Sequence, residues 1–483
     1  MGESTTTSEA ETQPFARTSI VEAGGIEAVP LDRRKGSPWQ LLATWSAPNL
    51  EFATIFVGVI GIAYFGLGFW QAMAAIVLGV AAGAVTQGVL STWGPKDGLA
   101  QLVLSRTAFG YRGNILPAAL NTILAGIGWF AVNSVSGAFA LSTLTGMSTV
   151  LSLLIVVIIE VVLAFIGHDV VQRFERYAAY VLGVIFLVAT VTVFLHANIG
   201  APVKGGGFSV GGFTLTVGAA FGYAAGWNPY ASDYSRYLGP KTSGKAIFWA
   251  AGLGNFVSCV VLMAAGAAAA TIAGFNPADP TNSFTMHMPT VIRDFTLVAI
   301  AVGAIAANAL NIYSGAMSFL AAGIKIPFSL RRAIVALGFG VIGFFVAWSA
   351  LPNAGQEYEN FLLVIAYWIA PWLGIVLVDR YLRRGTQIGA LVTEQAKYRN
   401  AAGIVSFVIA AVISIWLFSN QTIYVGLVPA TFKNVGDLTA IVGFVLAGAL
   451  YLLFFRLFQV KLGSPSTGVA EVVVGVDAAD EVA

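Results

Sequence analysis

Stretches of about 20 mostly apolar residues, each long enough to cross a bilayer as a helix, recur along most of this chain. No other feature narrows the fold so far. In hydrocarbon an unpaired backbone group costs several kcal/mol, so such a run closes its hydrogen bonds within a helix. The runs fall at roughly 41–66, 70–92, 113–145, 149–167, 177–197, 211–232, 246–274, 294–322, 332–351, 357–378, 402–420 and 436–459. About twelve spanning helices follow, and an even number puts both termini on one side. Composition agrees: 57% of residues are hydrophobic and 10% charged, against about 25% charge in a soluble globular chain. The expected fold class is an all-α integral membrane protein.

Loop charge sets the orientation. With a cytoplasmic N-terminus, only Lys204, Arg293 and Lys433 of the 25 Lys and Arg residues fall on the outer side. One missed helix would scramble that division. The expectation is a multi-pass protein of the plasma (inner) membrane with both termini cytoplasmic. Net charge is +2 and the basic residues are spread over the loops, so no nucleic-acid partner is indicated. The single Cys259 excludes an internal disulfide. His168, His196 and His287 lie far apart, and no spacing suggests a metal site or cofactor. Residues 1–36 are polar and lack the apolar core of a cleaved signal peptide. They read as a disordered cytoplasmic tail, residues 37–461 as the transmembrane domain, and 462–483 as a second disordered cytoplasmic tail. Two basic, amphipathic segments, 95–113 and 168–180, read as interfacial helices or mobile coupling elements.

Two of the apolar runs are interrupted. The sixth contains "AAGWNPYASDYSRYLG" (224–239), and the first opens with "ATWSAPNLEFAT" (43–54). Trp45, Pro48 and Asn49 in one parallel Trp227, Asn228 and Pro229 in the other. A proline removes a donor and obstructs the preceding turn, which lipid tolerates only where the backbone is buried in protein or lines a cavity. Paired interruptions in corresponding helices point to a transporter binding site. The breaks lie five helices apart, an odd number, so the two halves have opposite topology.

Polar residues at membrane depth add to this. Trp129 and Asn133 are four apart on one face of the third helix. Asn308, Asn311 and Ser314 form one stripe on the eighth. Each alone reads as helix–helix glue. Together, aromatic planes and amides suit a flat heteroaromatic ligand. Charges inside the runs are few: Glu51, Glu160, and Asp233 with Arg236. Intramembrane ionisable groups are functional suspects. Glu51 stands out because it follows the break at Pro48. Asp233 and Arg236 form a gate or a structural pair, and Glu160 has no assigned role. No catalytic constellation is present, so an enzyme is not expected.

"FGYAAGWNPYASDYSRYLGP" (221–240), "GLAQLVLSRTAFGYRGNILP" (98–117), "GWFAVNSVSG" (128–137) and "NALNIYSGAMSF" (308–319) occur in order. Together they resemble the purine–cytosine permease branch of the nucleobase–cation symporter-1 family, over about residues 35–460. The resemblance implies a LeuT-like fold: a five-plus-five inverted repeat with broken helices 1 and 6, plus two C-terminal helices. It implies alternating access, with a flat substrate between helices 1, 3, 6 and 8. Carried over residue by residue, Trp129 matches the stacking aromatic and Asn133 its polar partner. Trp227 matches the helix 6 aromatic, with Ala224 where other members place it. Asn311 matches the helix 8 amide and Asn308 is its neighbour. Ala53 stands where some relatives have Ser, leaving Thr54 as the nearest hydroxyl; Asn49, at the helix 1 break, is a further substrate-binding candidate.

The expected function is secondary active import of a nucleobase, cytosine or a purine, by cation symport. Relatives that carry allantoin, hydantoins, uracil, pyridoxine or thiamine define the alternatives; a channel or a non-transporting receptor is the rival class. For the coupling ion, the resemblance places Ile305 and Ala306 where sodium-coupled relatives have a hydroxyl pair. Neither offers an oxygen. The expectation is therefore proton symport with Glu51 as carrier and Asp233 as the alternative, sodium being the other candidate.

Overall fold

A computed structural model describes residues 26, 28–166, 168–203, 207–323, 328–393 and 398–465. A helix lies on every segment expected to span. The first span is bent by 62° between Gln40–Asn49 and Phe52–Ala63. It comprises α1 (Gln40–Ser46), a 3-10 turn at Ala47–Asn49 and α2 (Phe52–Ala63). Then follow α3 (Phe69–Ser91), α4 (Ile115–Thr145), α5 (Thr149–Ile166) and α6 (His168–His196). The sixth span is α7 (Val210–Ala225), a 3-10 turn at Asn228–Tyr230 and α8 (Ala231–Ser235). The rest are α9 (Gly244–Ala269), α10 (Thr290–Ala321), α11 (Phe328–Ala350), α12 (Ala354–Leu382), α13 (Ala401–Phe418) and α14 (Thr439–Leu457). Among the described residues, seven helical segments are long and apolar enough to cross a bilayer, or eight with the bent first span.

Lipid provides no hydrophobic drive between helices, so small residues that let backbones approach carry the packing. Gly58 on α2 faces the Met263 carbonyl of α9, and Gly266 on α9 faces the Ile55 carbonyl of α2. Either position with a Cβ would push the two helices apart. Gly79 and Gly83 seat α3 against α7 in the same way. These contacts gather the first two and the sixth and seventh spans into one group. A second group forms around α4, α5 and α10, where Gly137 packs between Val156 and Ala304. The outward faces are apolar: Val181, Val184, Val188, Val191 and Leu195 on α6 are all exposed, at spacings of three and four. This is a helix facing lipid rather than water.

Residues 28–36, assigned above to the N-terminal tail, pack against the turn after α3. Val29 N donates to Gly98 O at 2.9 Å, and buried Arg34 donates Nε to Val29 O at 2.7 Å. Ser464–Pro465, from the second tail, pairs antiparallel with Thr386–Gln387. Residues 1–25 and 466–483 lie outside the described residues, as do the side chains of 164–179, which cover most of the second amphipathic segment. Of the first, Gly94–Asp97, Gln101–Leu104 and Arg106–Gly113 are short helices, largely buried.

Candidate substrate site

The two breaks are built alike. Pro48 and Pro229 each sit at the start of a 3-10 turn, where the missing N–H costs little. Glu51 then takes an extended conformation (φ −147°, ψ 168°) before α2 starts. The breaks face one another: the Trp227 indole Nε1 donates to Asn49 Oδ1 at 2.9 Å, and the Trp45 and Trp227 rings are 6.2 Å apart.

Glu51 is buried beside this junction. Its Oε1 accepts from the Tyr223 hydroxyl at 3.0 Å, while its Oε2 is buried with no partner among the described residues. The Tyr223 hydroxyl also contacts the Thr54 hydroxyl, and Thr54 donates to Asn49 O at 2.7 Å. Tyr358 on α12 closes the far side, donating to the Ala53 carbonyl at 3.1 Å. Thr54 thus helps hold the helix 1 break in shape. Gly303 of α10 packs against the Leu50 carbonyl and Glu51, which brings the eighth span against the helix 1 break; Ile305 and Ala306 follow Gly303 in the chain.

Trp129 is buried, ringed edge-on by Tyr223 (5.3 Å), Phe361 (5.1 Å) and Tyr358 (6.3 Å). A π-helical turn, Leu124–Trp129, delivers it. The ring neighbours of Trp227 are different, namely Trp45 and Tyr230. Gly226 is the residue of the break that lies against the Trp129 ring. Ala224 is fully buried, and its carbonyl accepts from Asn255 Nδ2 at 2.9 Å.

One turn beyond Trp129, Asn133 Nδ2 donates to Asn308 Oδ1 at 3.0 Å, and Asn311 Nδ2 reaches the same oxygen at 3.2 Å. Asn308 Nδ2 donates to Phe130 O and Ser134 Oγ, and Ser134 Oγ donates to Glu160 Oε2 at 2.6 Å. The amides singled out on the third and eighth helices therefore form one network, and Glu160 belongs to it. Asn133 Oδ1 and Glu160 Oε1 are buried without partners among the described residues. The Ser314 side chain lies outside the described residues.

Asp233 and Arg236 are engaged at the other end of the sixth span. Asp233 Oδ1 accepts from Gln101 N at 2.7 Å, next to Ser232 Oγ donating to Gln101 Oε1. Arg236 is buried, its guanidinium 5.4 Å from the Tyr237 ring centre. Sequence reasoning missed Tyr223, Tyr358, Phe361 and Asn255. Tyr223 stands one helical turn before Trp227, and Tyr358 and Phe361 share a face at a spacing of three. Those periodicities were the available signals. Asn255 offered none beyond being polar in an apolar run.

A family model described as "Permease for cytosine/purines, uracil, thiamine, allantoin" matches residues 28–443. The chain belongs to this family. It is the purine–cytosine permease branch of the nucleobase–cation symporter-1 family, a family of membrane transporters and not of enzymes. YxlA of Bacillus subtilis is 28% identical, covering 90% of this chain and 96% of its own. The purine–cytosine permease fcyB of Emericella nidulans is also 28% identical, covering 94% and 91%. The structure of Mhp1, a nucleobase-cation-symport-1 family transporter, in a closed conformation with bromovinylhydantoin bound, superposes with a TM-score of 0.71. It is 19% identical and covers 92% of this chain and 98% of its own. That likeness establishes the LeuT-type fold.

Proposed function

We propose that this permease imports a nucleobase, cytosine or a purine, across the plasma membrane by proton symport and alternating access, with both tails cytoplasmic. The observation that carries this reading is Asn133 Oδ1. It is a buried acceptor without a partner among the described residues, one turn from an indole enclosed by aromatic edges. A buried polar atom left unpaired is costly, and a ligand that donates to it removes the cost. Cytosine and the amino-purines carry such donors on flat rings. Trp129 would stack on the ring. Trp227 would close on it from the helix 6 break, while Asn133, Asn308 and Asn311 read its edge. The name of the fcyB relative agrees with this substrate class.

The coupling reading rests on Glu51 Oε2, buried at the helix 1 break with no partner among the described residues. Asp233 is the poorer carrier because its Oδ1 already holds Gln101 N. A carboxyl that takes up a proton with the substrate needs no further oxygens. Sodium wants several, and Ile305 and Ala306 supply none.

The test is uptake of radiolabelled cytosine, adenine and hypoxanthine into permease-null cells, in sodium-free buffer over a pH series. Wild type should concentrate at least one of them, faster at low outside pH, and lose the gradient with an uncoupler. Glu51→Gln should bind substrate but neither concentrate it nor respond to pH. A strict sodium requirement would end the proton reading, and no uptake of any of the three would end the substrate reading.

A further inference from the structure

The two breaks are joined through a third helix. Asn255, on α9 and fully buried, donates Nδ2 to the Ala224 carbonyl at 2.9 Å and offers Oδ1 to Asn49 Nδ2 at 3.4 Å. Asn49 Nδ2 also reaches Ser258 Oγ and Trp45 O, both at 2.9 Å, while Asn49 Oδ1 accepts from the Trp227 indole. A circuit closes: a carbonyl of α7, the Asn255 amide, the Asn49 amide, and the indole that follows α7. The Ala224 carbonyl belongs to a helix end, which has no next turn to pair with. Without Asn255 it would be an unmet acceptor at membrane depth. Approach is close enough because Gly254 lies against the Leu42 carbonyl of α1, and Ser46 Oγ donates to Gly254 O at 3.1 Å.

We propose that Asn255 is a positioning residue for transport. It ties the helix 1 and helix 6 breaks into one unit and so sets where Asn49 and Trp227 stand, without itself touching the substrate. A single amide suits this role, since it donates to one break and accepts from the other. No hydroxyl or apolar side chain at 255 reproduces both bonds at that reach. The proposal rests on the nucleobase reading for its transport readout, but not for its second readout. Cys259, the only cysteine in the chain, is buried with its Sγ 3.3 Å from Asn255 Oδ1. Its reactivity reports on the junction whatever the substrate is.

The experiment compares full-length wild type, Asn255→Ala and Asn255→Leu. It measures protein at the membrane, KM and Vmax for uptake, and the rate of Cys259 labelling by a maleimide. Both variants should raise KM about tenfold, with a smaller change in Vmax per transporter, and should label Cys259 several-fold faster. Leu fills the space that Ala empties, so a packing role predicts that Leu restores KM and labelling. A positioning role predicts that it does not. Ser258→Ala, which removes one of the bonds to Asn49, should give a smaller rise in KM. If neither variant reaches the membrane, Asn255→Gln, with its amide one methylene too far, takes their place in the same comparison. Wild-type KM and wild-type labelling in Asn255→Leu would overturn the proposal. So would a Vmax that falls only with protein amount at constant KM. If wild type carries no nucleobase, that reading fails on its own, and unchanged Cys259 labelling in Asn255→Leu would still overturn this one.

Discussion

Two of the buried polar clusters in this bundle are finished to different degrees. Around Arg383, at the end of α12, every donor is used. Nε holds Asp379 Oδ1 at 2.8 Å, Nη1 holds the Lys461 and Leu462 carbonyls, and Nη2 holds Thr107 O and the Tyr398 hydroxyl. Asp379 also accepts from Tyr451 and Thr107, both at 2.6 Å. Burial pulls the Arg383 pKa down, but Asp379 and the tyrosine hydroxyls raise it by more. At the helix 1 break and in the neighbouring amide network of α4, α5 and α10, by contrast, Glu51 Oε2, Asn133 Oδ1 and Glu160 Oε1 are buried without partners among the described residues. A completed network costs least when nothing changes. An incomplete one is tolerable where a ligand or a proton completes it. The Arg383 knot therefore reads as scaffold, binding the segment before α4 to α12 and α14, and the breaks read as the working part.

The largest expected effect breaks the scaffold. Arg383→Ala leaves the buried Asp379 without its countercharge and should cost about 3–5 kcal/mol. It should be seen as loss of protein at the membrane and a lowered melting temperature after purification, with or without substrate. Replacing both partners, Arg383→Met with Asp379→Leu, should recover part of the loss; no recovery would mean that the pair does more than hold. Next in size is Trp129→Ala. Stacking a base on an aromatic ring is worth about 1–3 kcal/mol, so KM should rise roughly tenfold to a hundredfold in the transporter that reaches the membrane, and loss of the packed indole should also lower the melting temperature without substrate. Asn133→Ala should raise KM less, by about fivefold, and unchanged uptake in both variants would place the site elsewhere. The smallest effect belongs to Arg293, paired with Asp294 at 3.0 Å with both side chains more than 40% exposed. Arg293→Ala should shift stability by less than about 0.5 kcal/mol. A large shift there would erase the contrast between buried and exposed pairs.

The architecture was legible because lipid forces one solution onto a long apolar run. The breaks were legible because proline, beside Trp and Asn, has few roles at membrane depth. The amide stripe on the third and eighth helices was legible as a periodicity. What could not be read is how these elements share neighbours. Trp129 and Trp227 have different ring partners, Glu160 joins the amides through Ser134 and Asn308, and α12 brings Tyr358 and Phe361 onto residues far away in sequence. Such juxtapositions depend on helix crossing angles, which one sequence does not encode locally. Residues 28–36 illustrate the opposite error. Their composition reads as a polar tail, yet Arg34 is buried because three carbons of stem and a planar head can satisfy backbone carbonyls.

The π-turn at Leu124–Trp129 puts a constraint on length as well as on composition. A wider turn accommodates one residue more than an α-helix of the same rise, and each α-helical residue turns the chain by about 100°. A chain shortened by one residue here could turn the π-turn into an α-turn and keep its aim. A chain lengthened by one residue within Leu124–Gly128 could keep its hydropathy, its span and an unbroken helix, yet it would swing the indole out of the collar of Tyr223, Tyr358 and Phe361 and carry Asn133 with it. Insertions in this stretch are therefore mutations of aim, and a hydropathy profile would not register them.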